Sequence, residues 1–327
     1  MPGIKRLRRG RGFAYVNAEG RTIRGCNAID RFRSLVIPPA WTDVWICPHD
    51  DGHLQVTARD ARGRKQYRYH HDFRKARDGT KFERLFDFGE VLWKIRNRIE
   101  HDVQLPGLPR EKVIATIAWL LERTLIRVGT VELARVNKSY GLTTLRRKHV
   151  SIDGSELRFE FRGKSGVEHA VTVDDIRIAH IVQRCHDLRG EALFQYLDDD
   201  GKRQEIEAGH VNDYLREATN AEFTAKDFRT WAGTMIAAQV LRDIGAAESK
   251  RAAERNVVQA IDHTAARLGN TRTVCRKYYV HPALIAAYLA GDVLPPSPRR
   301  RAHKERQSGG RLRKHEAEVL AFLRARV

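Results

Sequence analysis

Apolar and polar residues alternate in short runs over the first part of the chain. The segments Phe13–Val16, Val44–Cys47, Leu54–Ala58 and Gln66–His70 each have the two-residue period of a half-buried strand, and turn-forming residues separate them. From about residue 11 to residue 70, the sequence therefore predicts a small β-rich module.

Helical periodicity replaces this pattern farther along the chain. Glu83–Ile99 has the spacing of a long amphipathic helix. The same spacing recurs beyond Pro109 in a series of segments: Arg110–Ile126, Val131–Asn137, Val173–Leu188, Val211–Glu217, Phe228–Leu241, Ala246–Ala266 and His281–Ala290. Short alternating segments between these helices predict a small antiparallel sheet: Leu142–Leu145, His149–Ile152, Glu156–Phe161 and Val167–Val171.

These patterns together predict an α+β fold. A small β-rich N-terminal domain is expected over residues 1–88, and a mainly α-helical domain with a small antiparallel sheet over residues 89–290. Prolines and arginines dominate the chain after Leu294, so residues 291–327 are expected to form a basic C-terminal tail that a short helix at Arg313–Leu323 closes.

Charge narrows the class of partner. The chain has 60 lysines and arginines against 41 aspartates and glutamates, which gives a formal net charge of +19. Such an excess suits a polyanion, and nucleic acid leads the list of candidates. No run of apolar residues approaches the length of a membrane span, which is about 18 to 20 residues. We therefore expect no membrane partner and a cytoplasmic, nucleoid-associated protein.

The cysteines and the acidic residues give no metal-site pattern. Cys26, Cys47, Cys185 and Cys275 are scattered singly, which favours free thiols over a zinc or redox motif. No cluster of aspartate, glutamate and histidine has the spacing of metal ligands. If the chain breaks a phosphodiester, the charge of the transition state must be stabilised by arginines, whose planar fork holds two phosphate oxygens.

Some cations stand in unusual surroundings. Arg127 lies inside the apolar run Leu125–Gly129, and Lys164 lies on a glycine-flanked hairpin tip. Lys226 precedes Arg229 by three residues at the start of a helix, so the two share a face. Taken alone, each of these features is more typical of a solvated surface.

The segment from Leu268 to Pro282 changes this interpretation, because it contains Asn270, Tyr278 and Tyr279. The chain then offers an ordered set that resembles the active site of type IB DNA topoisomerases, in particular the short bacterial and poxviral members: Arg127, Lys164, Arg229, Asn270 and Tyr279. Ile37–Trp41, Val44–Ile46 and Arg59–His70 are similar to the DNA-clamping domain of that family. The resemblance covers residues 35 to about 290.

The resemblance implies a mechanism and a catalytic fold shared with tyrosine recombinases for residues 89–290. Tyr279 is the nucleophile that becomes joined to the 3′ phosphate of a nicked strand. Arg127, Arg229 and Asn270 stabilise the transition state, while Lys164 and Lys226 form the general acid and proton relay. No metal, ATP or other cofactor is implied, and a monomer clamps double-stranded DNA. The spacing favours Tyr279 over Tyr278, because neighbouring residues on a helix point about 100° apart and only one can face the phosphate.

The family's DNA-contacting positions match Gln66, Tyr67 and Tyr69. A strand places Tyr67 and Tyr69 on one face and Gln66 on the other, and half-buried packing within the sheet is an alternative for the tyrosines. The turn before this strand concentrates positive charge through the following residues: Arg59, Arg62, Arg64 and Lys65.

The chain departs from the poxviral pattern at Asn270, where many relatives carry histidine, and at Leu133, where poxviral members carry a DNA-contacting tyrosine. Asparagine donates a hydrogen bond but carries no charge, so less electrostatic stabilisation is expected there. A tyrosine recombinase or integrase and a nonenzymatic basic DNA-binding protein remain alternatives. Recombinases usually carry histidine at the position of Lys226 and lack the N-terminal module, which favours the topoisomerase.

Overall fold

The computed structural model describes residues 2–10, 12–61, 63–198, 200–295 and 312–327, and the side chains of these residues except those of 74–80. The chain divides into two compact units, Met1–Glu83 and Arg84–Val327, which are called the N-terminal and C-terminal units below. Sequence analysis placed this boundary at residues 88 and 89. Each unit is described by itself.

The N-terminal unit contains a sheet with the strand order β2-β1-β3-β4-β5. Its described strands and helix are β1 (Ile4–Arg9), β2 (Gly12–Val16), α1 (Cys26–Ser34), β3 (Thr42–Ile46), β4 (Leu54–Arg59) and β5 (Lys65–Tyr69). All neighbouring strands pair antiparallel. Alternate residues such as Ile4, Ile46 and Val56 point into a small core that Phe32 of α1 closes. The predicted β-rich module is confirmed, whereas β1 and α1 were not predicted.

The C-terminal unit is mainly helical. Helix α2 (His71–Asp102) begins before the boundary and ends in this unit. The elements that follow are α3 (Arg110–Thr124), α4 (Val131–Asn137), β6 (Val150–Asp153), β7 (Glu156–Arg162), β8 (Glu168–Asp174), α5 (Ile176–Asp187), β9 (Gln195–Leu197), β10 (Arg203–Glu205), α6 (Ala208–Thr219), α7 (Ala225–Ile244), α8 (Lys250–Leu268), α9 (Arg272–Tyr278), α10 (Pro282–Leu289) and α11 (Lys314–Arg324).

Helix α3 lies at the centre of this unit. From Val113 to Leu121 every one of its residues is buried, so it is apolar on all faces, as a helix surrounded by protein must be. It contacts α5, α6, α7 and β8. The residues that follow its C-terminal end are therefore held in the interior of the unit.

The predicted antiparallel sheet is confirmed as β6-β7-β8, and the α+β fold class is confirmed with it. The strand expected at Leu142–Leu145 is wrong. Leu142–Thr144 form a short 3₁₀ helix, because the backbone N–H groups of Leu142 and Thr143 donate to the carbonyls of Arg127 and Val128, both at 2.8 Å, instead of joining a sheet. The start expected for α5 at Val173 is also wrong, since Asp175 caps the helix at Ile176 and Val173 belongs to β8.

The end of the chain belongs to the C-terminal unit. Helix α11 buries Val319, Leu320 and Leu323 and contacts α7. The Glu316 carboxylate accepts hydrogen bonds from Arg96 of α2 at 2.7 and 2.9 Å. The basic segment expected between residues 296 and 311 lies outside the described residues. Among the described helices, none has the length and apolar character needed to cross a bilayer.

Candidate active site

The backbone around Arg127 is fixed by a close-packed turn. Helix α3 ends at Thr124, and Leu125 after it adopts a left-handed conformation with φ 59°. The chain then turns back toward Gly141. A Cβ atom on Gly141 would lie only 2.4 Å from the Arg127 carbonyl oxygen, so glycine is required there by space. Hydrogen bonds from Leu142 and Thr143 complete the turn. Arg127 therefore starts from a rigid backbone position.

Arg229 links two segments of the unit. It lies in the second turn of α7 and is 4% exposed. Its guanidinium donates to the carbonyl of Leu125 and, at 2.6 Å, to the carbonyl of Leu268. Leu125 lies two residues before Arg127, and Leu268 lies two residues before Asn270. One buried cation thus joins the chain segments that carry the other two candidate phosphate ligands.

Asn270 follows the end of α8. Gly269 terminates the helix with φ +58°, a conformation that glycine adopts without strain. The Asn270 Oδ1 atom accepts a hydrogen bond from Arg127 Nη2, which also donates to the Gly269 carbonyl at 3.3 Å. Within the described part of the chain, the buried Asn270 Nδ2 has no hydrogen-bond partner. This amide therefore has a donor left for a ligand oxygen.

Tyr279 directly follows α9 and lies against α7. The Arg229 Cζ atom is 5.3 Å from the centroid of the Tyr279 ring. The Tyr279 carbonyl accepts a hydrogen bond from the Thr234 hydroxyl at 3.3 Å, and a Cβ on Gly233 would lie 2.5 Å from the same oxygen. Helix α7 thus holds both Arg229 and the backbone of Tyr279. The Tyr278 ring lies instead beside Lys277, whose Nζ atom is 5.3 Å from its centroid.

Burial and mutual repulsion shape the charges of this cluster. Burial, followed by the positive charge of Arg229, lowers the pKa of Arg127 to about 10, although Tyr279 opposes the shift. Burial also lowers the pKa of Arg229, and Tyr279 again opposes the shift. An anion that entered would relieve the repulsion between the two guanidinium groups. Burial raises the pKa of the neighbouring Cys275 thiol to about 11, which keeps it protonated and disfavours it as a nucleophile.

The structure thus brings together Arg127, Arg229, Asn270 and Tyr279, a cluster called the arginine site below. The two predicted lysines are placed differently. Lys164 is exposed in the tight turn between β7 and β8, and Lys226 is exposed in the first turn of α7. Among the described residues, neither ammonium group makes a hydrogen bond or ion pair with the arginine site.

Sequence reasoning missed three residues at this site. Gly233 and Thr234 hold the Tyr279 backbone, as described above. The third is His169 in β8, which pairs in register with Phe161 and stacks on its ring with centroids 5.0 Å apart. A single histidine in a strand gives little signal. Its place opposite an inward-facing phenylalanine in the predicted hairpin could have indicated that it faces the interior.

The predicted DNA-contacting tyrosines lie on an open face of the N-terminal sheet. Tyr67 is 46% exposed and Tyr69 is 40% exposed, and their rings stack with centroids 6.4 Å apart. Each side chain is thus exposed in part and covered in part, so DNA contact and packing on the sheet both stay predictions. Gln66 points to the other side of β5, where its amide donates to Asp60 Oδ2 at 2.9 Å. Lys5, Trp45, Thr57 and Tyr67 are successive partners across β1, β3, β4 and β5, so they share one face.

Two of the basic side chains in the adjoining turn make a hydrogen bond or an ion pair within it. Arg59 Nη1 donates to the Gly63 carbonyl at 2.9 Å, and Arg64 pairs with Asp60 at 2.7 Å. Lys65 Nζ lies 5.6 Å from the centroid of the Tyr67 ring. Arg62, predicted with them, lies outside the described residues.

The described residues contain no group of three or more histidine, cysteine, aspartate or glutamate side chains arranged to hold a metal ion. Cys26, Cys47, Cys185 and Cys275 are free thiols, as predicted.

Comparison with known proteins identifies the family. The model of the eukaryotic DNA topoisomerase I catalytic core matches residues 70–289, and the model of the bacterial DNA topoisomerase IB N-terminal domain matches residues 12–60. DNA topoisomerase 1B of Acanthamoeba polyphaga mimivirus is 32% identical over 287 residues, which cover 86% of this chain and 85% of the viral protein.

More distant relatives match shorter stretches. DNA topoisomerase 1B of Vaccinia virus (strain Copenhagen) is 28% identical over 123 residues, or 37% of this chain and 38% of the relative. DNA topoisomerase 1 of Mycosarcoma maydis is 25% identical over 178 residues, or 49% of this chain and 17% of the relative. The matching family models and the extent of the mimivirus match show that the chain belongs to the DNA topoisomerase IB family of isomerases.

Proposed function

We propose that this topoisomerase relaxes supercoiled double-stranded DNA by cutting one strand through Tyr279 and resealing it. The observation that carries the proposal is the arginine site itself, in which Arg229 faces the Tyr279 ring at 5.3 Å while Arg127 is bonded to Asn270. A phosphodiester seated there would meet a phenol on one side and fixed cationic donors around it.

The proposed step is a transesterification. The Tyr279 phenolic oxygen gives its proton to solvent and attacks the scissile phosphorus, a bond forms between them, and the bond from phosphorus to the 5′ oxygen breaks. The strand is then joined to the enzyme through a 3′-phosphotyrosyl ester, and its other end is a free 5′ hydroxyl. Because the new ester conserves the energy of the broken one, resealing is the reverse reaction and needs no ATP. Between the two steps the downstream duplex rotates and releases supercoils.

The charge of the transition state is held by the protein in this proposal. Arg127 and Arg229 are already fixed by carbonyl and amide acceptors of the fold, so they need little reorganisation as charge builds on the nonbridging oxygens. Asn270 Nδ2 adds a neutral donor. These groups supply the electrophilic part of the reaction, and we propose that it proceeds without a metal ion or another cofactor.

The departing 5′ oxygen needs a proton, and we assign it to Lys164 with Lys226 as the second member of the relay. Both are lysines, which are cations at neutral pH and so hold the required proton. Both are exposed. The proposal therefore requires that bound DNA, rather than the protein alone, brings their ammonium groups to the leaving oxygen.

The N-terminal unit supplies a surface for duplex DNA in the same proposal. Exposed Tyr67 and Tyr69 are flanked by Lys65, Arg59 and Arg64, a combination of aromatic and basic groups that suits a nucleic-acid backbone. Gln66 and Arg62 complete the proposed contact set. We propose that the enzyme acts as a monomer that clamps DNA, in the cytoplasm and associated with the nucleoid.

Plasmid relaxation in EDTA, combined with denaturant trapping of the protein–DNA adduct, tests the proposal. The wild-type protein and Tyr278→Phe are expected to relax plasmid and to form the adduct, whereas Tyr279→Phe binds DNA without forming it. An adduct that survives in Tyr279→Phe and disappears in Tyr278→Phe would reverse the assignment.

The same assay separates the alternatives. A protein that retards DNA in a gel but never changes its linking number is a nonenzymatic binder. A protein that acts only when defined partner sites are present is a recombinase.

A further inference from the structure

The ring of His169 is held in a fixed orientation at the edge of the arginine site. It stacks on Phe161 with an interplanar angle of 10° and a centroid distance of 5.0 Å, and Phe161 is 5% exposed within the main core. Since the two residues are also register partners in β7 and β8, both the backbone and the ring contact fix the imidazole.

Two glycines border this ring on different sides. A Cβ on Gly163 would lie 2.6 Å from both Cδ2 and Nε2 of His169, and a Cβ on Gly269 would lie 2.8 Å from its Cε1. Gly163 has φ −95°, which any residue adopts, so space rather than backbone conformation favours glycine there. The imidazole therefore fills the gap between the turn that starts at Gly163 and the end of α8.

The residue after each glycine has a proposed role in the reaction. Lys164 follows Gly163, and Asn270 follows Gly269. The His169 ring thus contacts both the turn that carries the lysine and the end of α8, which leads into the arginine site. Burial and the charges of Arg127 and Arg229 lower the pKa of His169, with Glu168 opposing. The ring is therefore neutral at neutral pH and adds no positive charge beside the lysine.

We propose that His169 is a positioning residue for Lys164: its stacked ring holds the β7–β8 turn at the distance from which the lysine protonates the leaving 5′ oxygen. This inference rests on the proposed function. In the step concerned, the proton moves from Lys164 Nζ to the 5′ oxygen as the bond between that oxygen and phosphorus breaks. The imidazole neither takes nor gives a proton.

The test uses single-turnover cleavage of two DNA duplexes that differ in one atom. One carries the natural 5′ oxygen at the scissile phosphate, and the other carries a bridging sulfur there. A thiolate leaves without protonation, so the sulfur duplex bypasses the general acid. His169→Ala is expected to slow cleavage of the oxygen duplex about tenfold to a hundredfold, and to cleave the sulfur duplex within about threefold of the wild-type rate.

Two reference variants make the result specific. Lys164→Ala should show the same rescue by sulfur, with a larger loss on oxygen. Arg127→Ala should be slow on both duplexes, because it removes a phosphate ligand rather than the proton. Noncovalent DNA binding and the melting temperature, measured for every variant, identify any that fails to fold.

A second substitution approaches the same contact from the other side. Gly163→Ala introduces a Cβ that pushes on the His169 ring, so it should also slow only the oxygen duplex. In the double variant Gly163→Ala/His169→Ala the ring is absent, and the alanine at 163 should cost little more than His169→Ala alone. Additive losses in this cycle contradict the proposal.

The outcomes distinguish a failure of the positioning role of His169 from a failure of the general-acid role of Lys164. If Lys164→Ala is rescued by sulfur and His169→Ala is not, the positioning role is wrong and the proposed function stands. If Lys164→Ala itself is not rescued, the general-acid assignment fails, and the role of His169 fails with it.

Discussion

The arginines and the lysines that the proposed mechanism combines are held in opposite ways. Arg229 is 4% exposed and donates to two backbone carbonyls, and Arg127 is bonded to Asn270 and to Gly269. Lys164 and Lys226 are exposed and make no such bonds among the described residues. The fold therefore fixes the two guanidinium groups and leaves the two ammonium groups unanchored. In the proposed mechanism, His169 holds only the turn that carries Lys164, and bound DNA brings the ammonium groups to the leaving oxygen.

This difference follows from what each group must do. A donor that stabilises transition-state charge works best when it is already oriented, because reorienting it would cost free energy at the moment of reaction. A guanidinium can serve the fold and the reaction together, since its five N–H donors exceed what two carbonyls need. A lysine has only a flexible ammonium, and burying it would depress its pKa and remove the charge it brings to DNA.

The comparison predicts that Arg229→Lys damages both stability and activity, whereas Lys164→Ala damages activity alone. A lysine at 229 cannot span the carbonyls of Leu125 and Leu268, so it leaves at least one buried acceptor unpaired, at a cost of about 1 to 3 kcal/mol. Loss of one preorganised donor should slow strand cleavage about a hundredfold to a thousandfold. Thermal melting and single-turnover cleavage measure the two effects. An Arg229→Lys protein that melts like the wild type would show that its carbonyl contacts do not support the fold.

Gly233→Ala tests how closely α7 holds Tyr279, the proposed nucleophile. The added Cβ would lie 2.5 Å from the Tyr279 carbonyl oxygen and 2.9 Å from the Tyr279 Cβ, so the tyrosine backbone must move. A displacement of about 1 Å lowers a rate by roughly a hundredfold, and a loss of about tenfold to a hundredfold in cleavage is expected.

Gly209→Ala in α6 is the matched control for this substitution. An added Cβ there meets nothing within 4 Å, and alanine favours a helix over glycine by about 1 kcal/mol. The control should therefore cleave normally and melt no lower than the wild type. Equal cleavage rates in both variants would indicate that Tyr279 is not held by this contact.

Tyr67→Ala tests the exposed face of the N-terminal unit. Because Tyr67 is 46% exposed, its removal should leave the melting temperature unchanged and weaken DNA binding about tenfold, the effect of losing roughly 1 to 2 kcal/mol of aromatic contact. Tyr67 carries no charge, so the salt dependence of binding should be unchanged, whereas Lys65→Ala should reduce its slope by about one. Trp93→Ala, an exposed aromatic of α2 in the C-terminal unit, serves as the control and should bind normally.

The sequence predicted the helices best, because their apolar residues repeat at a regular spacing. The helical periods located α3, α7 and α8, and the resemblance to type IB topoisomerases singled out the arginines, asparagine and tyrosine that the fold gathers. The structure of the segments between these residues depends on tertiary contacts and could not be predicted from local patterns. Leu142–Leu145 alternates like a strand, yet its partner is the backbone after Arg127, and the close approach of Gly129 and Gly141 that creates this pairing is a tertiary contact.

Other features were missed for related reasons. The run Ile4–Arg9 buries Arg6 and exposes the apolar Leu7, so its sequence shows no apolar alternation although it pairs with two strands. His169 gains its meaning only from glycines at 163 and 269, more than a hundred residues apart in the chain. Contacts of this kind depend on packing, and no local pattern contains them.

A buried histidine close to Tyr279 also predicts that the free energy of unfolding depends on pH. His281, two residues after Tyr279, is 4% exposed, and burial lowers its pKa to about 4. Its backbone N–H donates to Thr234 Oγ1 at 3.1 Å, and its Nδ1 accepts from the Ala283 N–H to cap α10. Between the unfolded pKa of about 6.5 and the folded value, the unfolded chain binds a proton that the folded chain does not. The free energy of unfolding therefore falls as the pH is lowered through this window.

At pH 5 this histidine alone should cost about 2 kcal/mol, which corresponds to a fall of roughly 5 °C in melting temperature for a unit of this size. His281→Asn isolates the effect, because asparagine also caps a helix through its side-chain oxygen but does not titrate. The difference in melting temperature between pH 7 and pH 5 should shrink by that amount in the variant, while other acidic and basic groups contribute equally to both proteins. If the two proteins lose the same number of degrees, His281 takes up its proton without opening the fold, and the segment that carries Tyr279 is less tightly packed than its contacts with α7 imply.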